Sequence, residues 1–267
     1  MKFPIIKFTA FLFIISITVP VIAQDSTGVE PIVAERPGFT NPPQTMAKKQ
    51  FQIESGFYYE ADKIKNTDIK IDNFLYPTLL FRYGLIKNIE LRLEVDYAGI
   101  STSSSSTDKV SLNGLNPVIL GAKFYLFEQK KARPEAAFVF GLTLPYIGKK
   151  DFRPKYAAPS LAFYFQNTLN RKWSIGYNAG MQWNGNDAVP TSFLTFSPTY
   201  NFSKKVAGSL EIYSYFSDTQ VPDFRLDAGL GYIPIPNLQI DVYGGPGLSG
   251  PTTNFFISAG ISLRLPK

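Results

Sequence analysis

The stretch Asn88-Ile89-Glu90-Leu91-Arg92-Leu93-Glu94-Val95-Asp96-Tyr97 decides the fold. Ile89, Leu91, Leu93, Val95 and Tyr97 fall at every second position, and Glu90, Arg92, Glu94 and Asp96 fill the gaps. A period of two belongs to an extended strand, whose successive side chains point to opposite faces. The same alternation returns from Lys172 to Asn184, where Trp173, Ile175, Tyr177, Ala179, Met181 and Trp183 share one face. It returns again from Asp223 to Tyr232, with Phe224, Leu226, Ala228, Leu230 and Tyr232 set against Asp223, Arg225, Asp227, Gly229 and Gly231. One face is greasy and the other is charged, small or polar.

Twelve segments read this way: roughly 51–60, 71–84, 88–98, 114–127, 135–145, 156–169, 172–183, 190–202, 205–217, 222–233, 237–243 and 253–265. Several reach the about 9–11 residues that a tilted membrane strand needs, whereas strands of soluble proteins average about five or six. Short connections fall at Gly84–Lys87, Asn170–Arg171, Ser203–Lys204 and Pro234–Pro236, with a longer one at Glu128–Pro134. The alternate connections are mostly longer and polar, at Ala61–Lys70, Gly99–Asn113, Tyr146–Lys155 and Gly244–Thr252, with brief ones near Asn184–Val189 and Ser217–Val221. Short periplasmic turns opposite longer external loops mark an outer-membrane barrel. The expected fold is all-β: a single antiparallel up-and-down transmembrane β-barrel of twelve strands, residues 51–267, with both ends on the short-turn side. Four prolines resist this scheme. Pro77, Pro117, Pro159 and Pro198 sit in every second segment from the second to the eighth, and a closed barrel has no edge strand to hold them. Each such strand must begin after its proline or carry a bulge.

Composition narrows the chemistry. The 267 residues are 45% hydrophobic, 15% aromatic and 18% charged, with 23 Phe and 15 Tyr but no histidine and no cysteine. Without histidine there is no Ser-His-Asp triad and no histidine-bound zinc. Without cysteine there are no disulfides, thiolate nucleophiles, iron–sulfur clusters or lipoprotein anchor. The chain reads as a non-enzyme without a cofactor. A mean hydropathy of −0.04 is too low for a helical membrane protein.

The N-terminus reads as an export signal, residues 1–23. Lys2 and Lys7 form a positive n-region, Phe8 to Ala23 is uncharged and mostly apolar, and Val21-Ile22-Ala23 offers a cleavage site before Gln24. Removing the two lysines leaves 25 basic against 21 acidic residues, a net +4. Because no compact basic cluster carries that excess, nucleic acid is not an expected partner. Residues 24–50 do not alternate and contain Pro31, Pro37, Pro42 and Pro43. They form either a periplasmic leader or a plug folded into the lumen, in which case Glu35 and Arg36 belong to a gate.

With the polar faces inward, the first strands line the lumen with Glu54, Arg82, Glu90, Arg92, Glu94, Asp96, Lys123 and Glu135. The later ones contribute Lys205, Glu211, Arg225, Asp227, Asp241 and Arg264. Both signs occur throughout, as expected of a narrow lumen whose charges pair. These residues form either a selectivity constriction or a salt-bridged interior that holds the barrel together. Tyr58, Tyr76, Tyr125, Tyr213, Tyr215 and Tyr243 also project inward on this register, as a path for amphipathic or ring-shaped solutes or as space filling. Outside, Tyr97, Trp173, Trp183 and Tyr232 lie near strand ends, where interfacial aromatic girdles belong.

Other motifs carry less. Gly245-Pro246-Gly247-Leu248-Ser249-Gly250 matches a dinucleotide fingerprint, but no helix or acidic ribose partner follows, so it reads as an external loop. Ser101 to Thr107 reads as a solvated low-complexity loop. Glu90, Glu94 and Asp96 stand in metal-like spacing, yet Arg92 between them favours charge pairing, and no metal site is expected.

At the level of whole motifs the chain resembles the outer-membrane transporter family labelled MetA-pathway phenol-degradation proteins. The resemblance rests on Glu35-Arg36-Pro37, Phe51-Gln52-Ile53-Glu54-Ser55-Gly56-Phe57, Arg82-Tyr83-Gly84-Leu85 running into Asn88-Ile89-Glu90-Leu91-Arg92, and Gly121-Ala122-Lys123-Phe124-Tyr125. Gly141-Leu142-Thr143-Leu144-Pro145, Ser174-Ile175-Gly176-Tyr177-Asn178 and the final hairpin from Pro236 to Leu263 extend it over about Ile32 to Leu265. The chain ends Arg264-Leu265-Pro266-Lys267, where such barrels close on an aromatic residue. The resemblance implies a membrane barrel with a transport role and supplies no catalytic or ligand residues. The expectation is a Gram-negative outer-membrane channel that passes small, amphipathic or aromatic solutes downhill. Its partners would be outer-membrane lipid, the solute and the barrel-assembly machinery. The alternative is a closed structural or adhesive barrel acting through its external loops.

Overall fold

The computed structural model describes residues 30–250 and 252–265. The export signal and its cleavage site lie outside the described residues. Thirteen strands follow one another: β1 (Phe51–Ile64), β2 (Lys70–Ile86), β3 (Ile89–Ser104), β4 (Thr107–Leu115), β5 (Ile119–Phe127), β6 (Glu135–Thr143), β7 (Ala158–Thr168), β8 (Trp173–Gln182), β9 (Thr191–Asn201), β10 (Val206–Ser217), β11 (Gln220–Ile235), β12 (Leu238–Ser249) and β13 (Thr252–Arg264). Every neighbour is antiparallel, and β13 pairs with β1 from Gln52↔Arg264 to Ile64↔Thr252, which closes the sheet into a barrel.

The wall has twelve positions, because β4 and β5 share one. The lower half of β3 pairs with β5 (Ile89↔Phe124 to Glu94↔Ile119) and its upper half with β4 (Tyr97↔Leu115 to Ser104↔Thr107). Pro117 sits in the gap between β4 and β5, where its missing donor costs no ladder bond. The expected loop Gly99–Asn113 is therefore a hairpin that carries β3 and β4 outward, and Ser101–Ser104 belong to a strand. The Gly245–Gly250 stretch is likewise the outer end of β12 and the turn that follows, rather than a long loop.

The remaining prolines resolve one by one. Pro159 is the second residue of β7, at its outer end. Pro198 pairs with Ile175 on one side, while on the other the β9–β10 ladder omits Ser197 and Pro198 and resumes in the same register. Pro77 lies where the registers on both sides of β2 shift, between Gly56 and Tyr58 on β1 and between Leu75 and Thr78 facing β3. That bulge reverses the in–out alternation above it. Tyr76, expected in the lumen, is instead 68% exposed on the outer wall, with its ring against Phe57.

Polarity is inside out. Leu91 is 41% exposed and Glu90 not at all; Leu210 is 59% exposed and Glu211 only 2%. An apolar outer wall with no water at its face is stable only in lipid, where a closed barrel satisfies its own backbone. Trp173 meets Tyr200 with ring centroids 4.8 Å apart at a tilt, and Tyr200 meets Phe202 edge-on at 5.0 Å, near the periplasmic end. Tyr97 and Tyr232 are exposed on the wall as the girdle reading expects, and Trp183 lies just beyond β8, half-buried.

Candidate functional site

Residues 30–50 lie inside the barrel. The segment enters at the periplasmic end, where Ile32 N–H donates to Pro236 O at 2.7 Å. It leaves through a turn in which Gln50 N–H bonds Ala47 O, Lys49 N–H bonds Gly84 O (2.7 Å) and Gly84 N–H bonds Gln50 O (2.9 Å). Between these ends it crosses the lumen and touches β1, β2, β3, β5, β6, β7, β9, β10, β12 and β13. Four prolines prevent a helix here and hold the chain extended. Gly84 is required at the exit: a Cβ there would stand 2.0 Å from Ala47 O. Gly84→Ala is expected to displace the 47–50 turn and forfeit two hydrogen bonds worth about 1 kcal/mol each. The barrel should then lose its folded gel mobility at a lower temperature than the wild type; an unchanged transition would mean the turn adapts freely.

The first anchor is an ion-pair cluster. Arg82 donates through Nε and Nη2 to the two oxygens of Glu90 (2.8 and 2.9 Å), and through Nη1 to Glu54 (2.9 Å) and Val33 O (2.9 Å). Glu35 of the segment bonds Arg92 and Lys123 and lies 3.9 Å from Arg82. Glu54 receives the N–H groups of Glu35 (2.9 Å) and Arg36 (3.2 Å), and Lys123 also donates to Pro42 O (2.9 Å). Glu90 accepts Met46 N–H at 2.9 Å. All of these side chains are buried. Burial alone would raise the Glu35 carboxyl, but Arg92, Lys123 and Arg82 outweigh it and hold the group well below the ordinary carboxylate range.

The second anchor lies across the β1–β13 seam, on β13, β12 and β10. Arg36 reaches Asp241 at 3.1 Å and Ser258 Oγ at 3.0 Å, while its carbonyl accepts from Gln239 at 2.7 Å. Glu211 accepts Phe39 N–H at 2.7 Å and the Thr40 hydroxyl, whose oxygen lies 2.7 Å from Thr195 Oγ1 and can accept from it. Gly38 makes that approach possible. Its φ is +92°, and a Cβ would fall 2.8 Å from the Glu211 carboxylate.

The other charges expected in the lumen divide. Glu135 takes hydrogen bonds from Tyr125 (2.9 Å) and from Gln44 of the segment. Arg225 pairs with Glu60 (2.6 Å) and Asp223 (2.9 Å) near the outer mouth. Glu94, 3.7 Å from Arg92, is partly open, and Asp96 accepts Leu79 N–H at 3.2 Å. Arg264 holds Asn237 (2.8 Å) and Glu30 O (2.5 Å) at the periplasmic rim. Lys205 stands apart: it lies in the exposed periplasmic turn before β10, with Nζ on Pro234 O at 3.0 Å. Asp227 is buried in the wall within hydrogen-bond reach of the Glu211 carboxyl, and no N–H or hydroxyl group donates to it.

Two cavities of about equal size flank the segment. The outer one, about 370 Å³, is bordered by Tyr58, Glu60, Tyr215, Arg225 and Phe39. The inner one, about 380 Å³, opens between the segment and the β8–β11 wall, where Ser174, Ser197, Thr199 and Ser209 line it together with the cations Arg36, Lys204 and Lys205. They share no lining residue. Phe39 borders the outer cavity and its neighbour Thr40 the inner one. Sequence patterning found the charged wall residues but missed Gly38, Phe39 and Thr40, which no period marks.

Residues 34–265 match the MetA-pathway phenol-degradation family. No curated protein matches the chain. Among solved structures, the COG4313 outer membrane channel from Pseudomonas putida F1 has a TM-score of 0.63 at 12% identity, covering 84% of this chain and 98% of that one. The transport unit of the autotransporter AIDA-I from Escherichia coli has a TM-score of 0.55 at 9% identity, over 82% and 91% of the two chains. The KdgM porin in complex with disordered oligogalacturonate gives 0.50 at 12%, over 80% and 99%. At such identities the likeness speaks for the fold, while the family match covers most of the chain. With its apolar wall and charged lumen, this chain is an outer-membrane β-barrel that belongs to the MetA-pathway phenol-degradation family.

Proposed function

We propose that this barrel is a channel for passive diffusion of small amphipathic or aromatic solutes, and that residues 30–50 are its plug. The observation that carries the reading is the pair of cavities that face each other across one short stretch of the segment, Phe39 and Thr40. Around the rest of the circumference, paired charges hold the segment to the wall. The inner cavity offers hydroxyls, backbone and the cations Arg36, Lys204 and Lys205, and the outer one adds tyrosine rings. An uncharged solute with an apolar body and a polar tip suits both, whereas an ion finds most lumen charges already paired. The sequence contains no nucleotide-binding motif that would couple transport to energy, so flux follows the gradient. The lumen charges act as plug anchors, and we read the protein as a channel rather than an enzyme.

Reconstitution in planar bilayers tests this directly. Residues 24–267 should give small or infrequent conductance steps, and residues 51–267 discrete steps several-fold larger. Uptake of p-cresol through a lipopolysaccharide-bearing outer membrane, which resists small aromatics where a phospholipid bilayer does not, should rise in parallel. Silence and no uptake from both, with folding confirmed by heat-dependent gel mobility, would overturn the channel and leave a barrel that works through its external loops.

A further inference from the structure

Phe39 is the only aromatic residue between positions 30 and 50, and it is seated in an aromatic box of the barrel wall. Its ring centroid lies 4.5 Å from Tyr213 on β10, 6.0 Å from Tyr243 on β12 and 5.7 Å from Phe256 on β13. All three separations are those of favourable ring pairs. The wall rings also support one another without Phe39. Tyr243 meets Phe256 at 5.7 Å, Tyr58 stacks on Phe256 at 5.5 Å, and Tyr213 meets Tyr215 at 5.9 Å. The box therefore has walls of its own.

Its polar edge is unmatched by its occupant. The Tyr213 hydroxyl, on a residue 1% exposed, has no hydrogen-bond partner. Both Asp227 oxygens, on a residue 2% exposed, receive no bond from an N–H or hydroxyl donor, and the polar group within hydrogen-bond reach of them is the Glu211 carboxyl. On the β10–β11 ladder Tyr213 faces Arg225 and Glu211 faces Asp227, so Asp227 is the diagonal neighbour of Tyr213 on the same inward face. Glu211 is already engaged by Phe39 N–H and Thr40. A phenyl ring supplies the apolar contact but nothing to these buried acceptors, and buried polar groups are costly to leave unmade.

We propose that the box of Tyr213, Tyr243 and Phe256, with Asp227 at its edge, binds a single-ring aromatic solute bearing a hydroxyl or amino donor, and that Phe39 is the resting occupant this solute displaces. The ring takes the place of the Phe39 side chain, and its donor turns to the Asp227 carboxylate. The consequence for transport rests on the channel reading: because Phe39 also bounds the outer cavity, displacing it joins the two cavities, so the permeant solute opens its own path.

The test uses p-cresol and toluene, which differ by one hydroxyl, titrated calorimetrically into the refolded mature chain with protein-free micelles as the blank. Wild type should bind p-cresol in preference to toluene. Phe39→Ala should tighten p-cresol by about ten-fold or more, because the site no longer has to be vacated first. Asp227→Ala in that background should abolish the preference for p-cresol. Equal or tighter toluene binding by Phe39→Ala would show a mere apolar hole and overturn the proposal, as would no gain in p-cresol affinity over wild type. Phe39→Leu, which keeps an apolar plug residue but vacates part of the ring site, serves if the alanine variant fails to show heat-dependent gel mobility. Binding is read without a membrane, so a barrel that binds p-cresol but never conducts would sink the channel reading alone, and one that conducts but does not bind would sink this one alone.

Discussion

Glu35→Lys is expected to release the segment from the lumen and open the barrel. Glu35 bonds Arg92 and Lys123, stands 3.9 Å from Arg82, and is the carboxylate that residues 30–50 supply to this cluster. A lysine in its place would set four cations against Glu54 and Glu90 at a buried site. Removing one partner of a buried ion pair costs about 3–5 kcal/mol, and reversing its sign adds repulsion to that loss. Such a cost shifts the docked population by roughly two to four orders of magnitude. Arg36 on Asp241, Phe39 and Thr40 on Glu211, and the backbone bonds to Arg82, Glu90 and Lys123 remain, but the ion pairs that tie the segment to β2, β3 and β5 are gone. The barrel ladders do not involve Glu35, so folding should persist. Limited proteolysis should cut the variant between residues 30 and 50 while sparing the barrel, and bilayer conductance should approach that of residues 51–267. A variant as closed and as resistant as wild type would refute the anchoring role.

Arg82→Met should have the largest effect on the barrel itself. Arg82 is fully buried, and its guanidinium bonds Glu90 twice, Glu54 once, and the carbonyls of Val33 and Gln44. Methionine fills part of the volume but strands two carboxylates, Glu54 on β1 and Glu90 on β3, on either side of β2. The expected loss is about 3–5 kcal/mol, seen as a lower temperature for the loss of folded gel mobility. Adding Glu90→Gln should recover part of it, because the orphaned charge and not the missing cation carries most of the penalty. A double variant no more stable than Arg82→Met would contradict that division.

The wall was legible because a barrel strand writes its geometry in every second residue. Glu90, Arg92, Lys123, Glu211 and Asp241 all face inward as their alternation demands, and the short turns near Lys87, Arg171 and Lys204 fall at one end. The misreadings have local causes. Tyr76 follows the period on paper, but the bulge at Pro77 moves it to the other face. The hairpin of β3 and β4 escaped notice because Ser, Thr, Asp and Lys at both parities leave no hydrophobic alternation to follow. Gly38, Phe39 and Thr40 were illegible for a deeper reason. Their positions are set by side chains more than 150 residues away, among them Glu211 and Thr195, and a segment without regular structure has no period. Asp227 looked like one more paired lumen charge, and only its surroundings distinguish it.

The way Glu35 and Arg36 sit between strands bears on how the molecule assembles. Their two N–H groups bond Glu54 on β1, while the Arg36 side chain holds Asp241 on β12 and Ser258 on β13, separated from it by 205 and 222 positions. Residues 30–50 precede every strand, yet their binding surface is complete only after the last strand has met the first. Contacts of such long sequence separation come late in folding, because the intervening chain must be ordered before they can form. The earliest part of the described chain is thus the last to settle, and when it settles it rivets the β1–β13 seam from within. Closure of the cylinder and occlusion of its bore are two successive events.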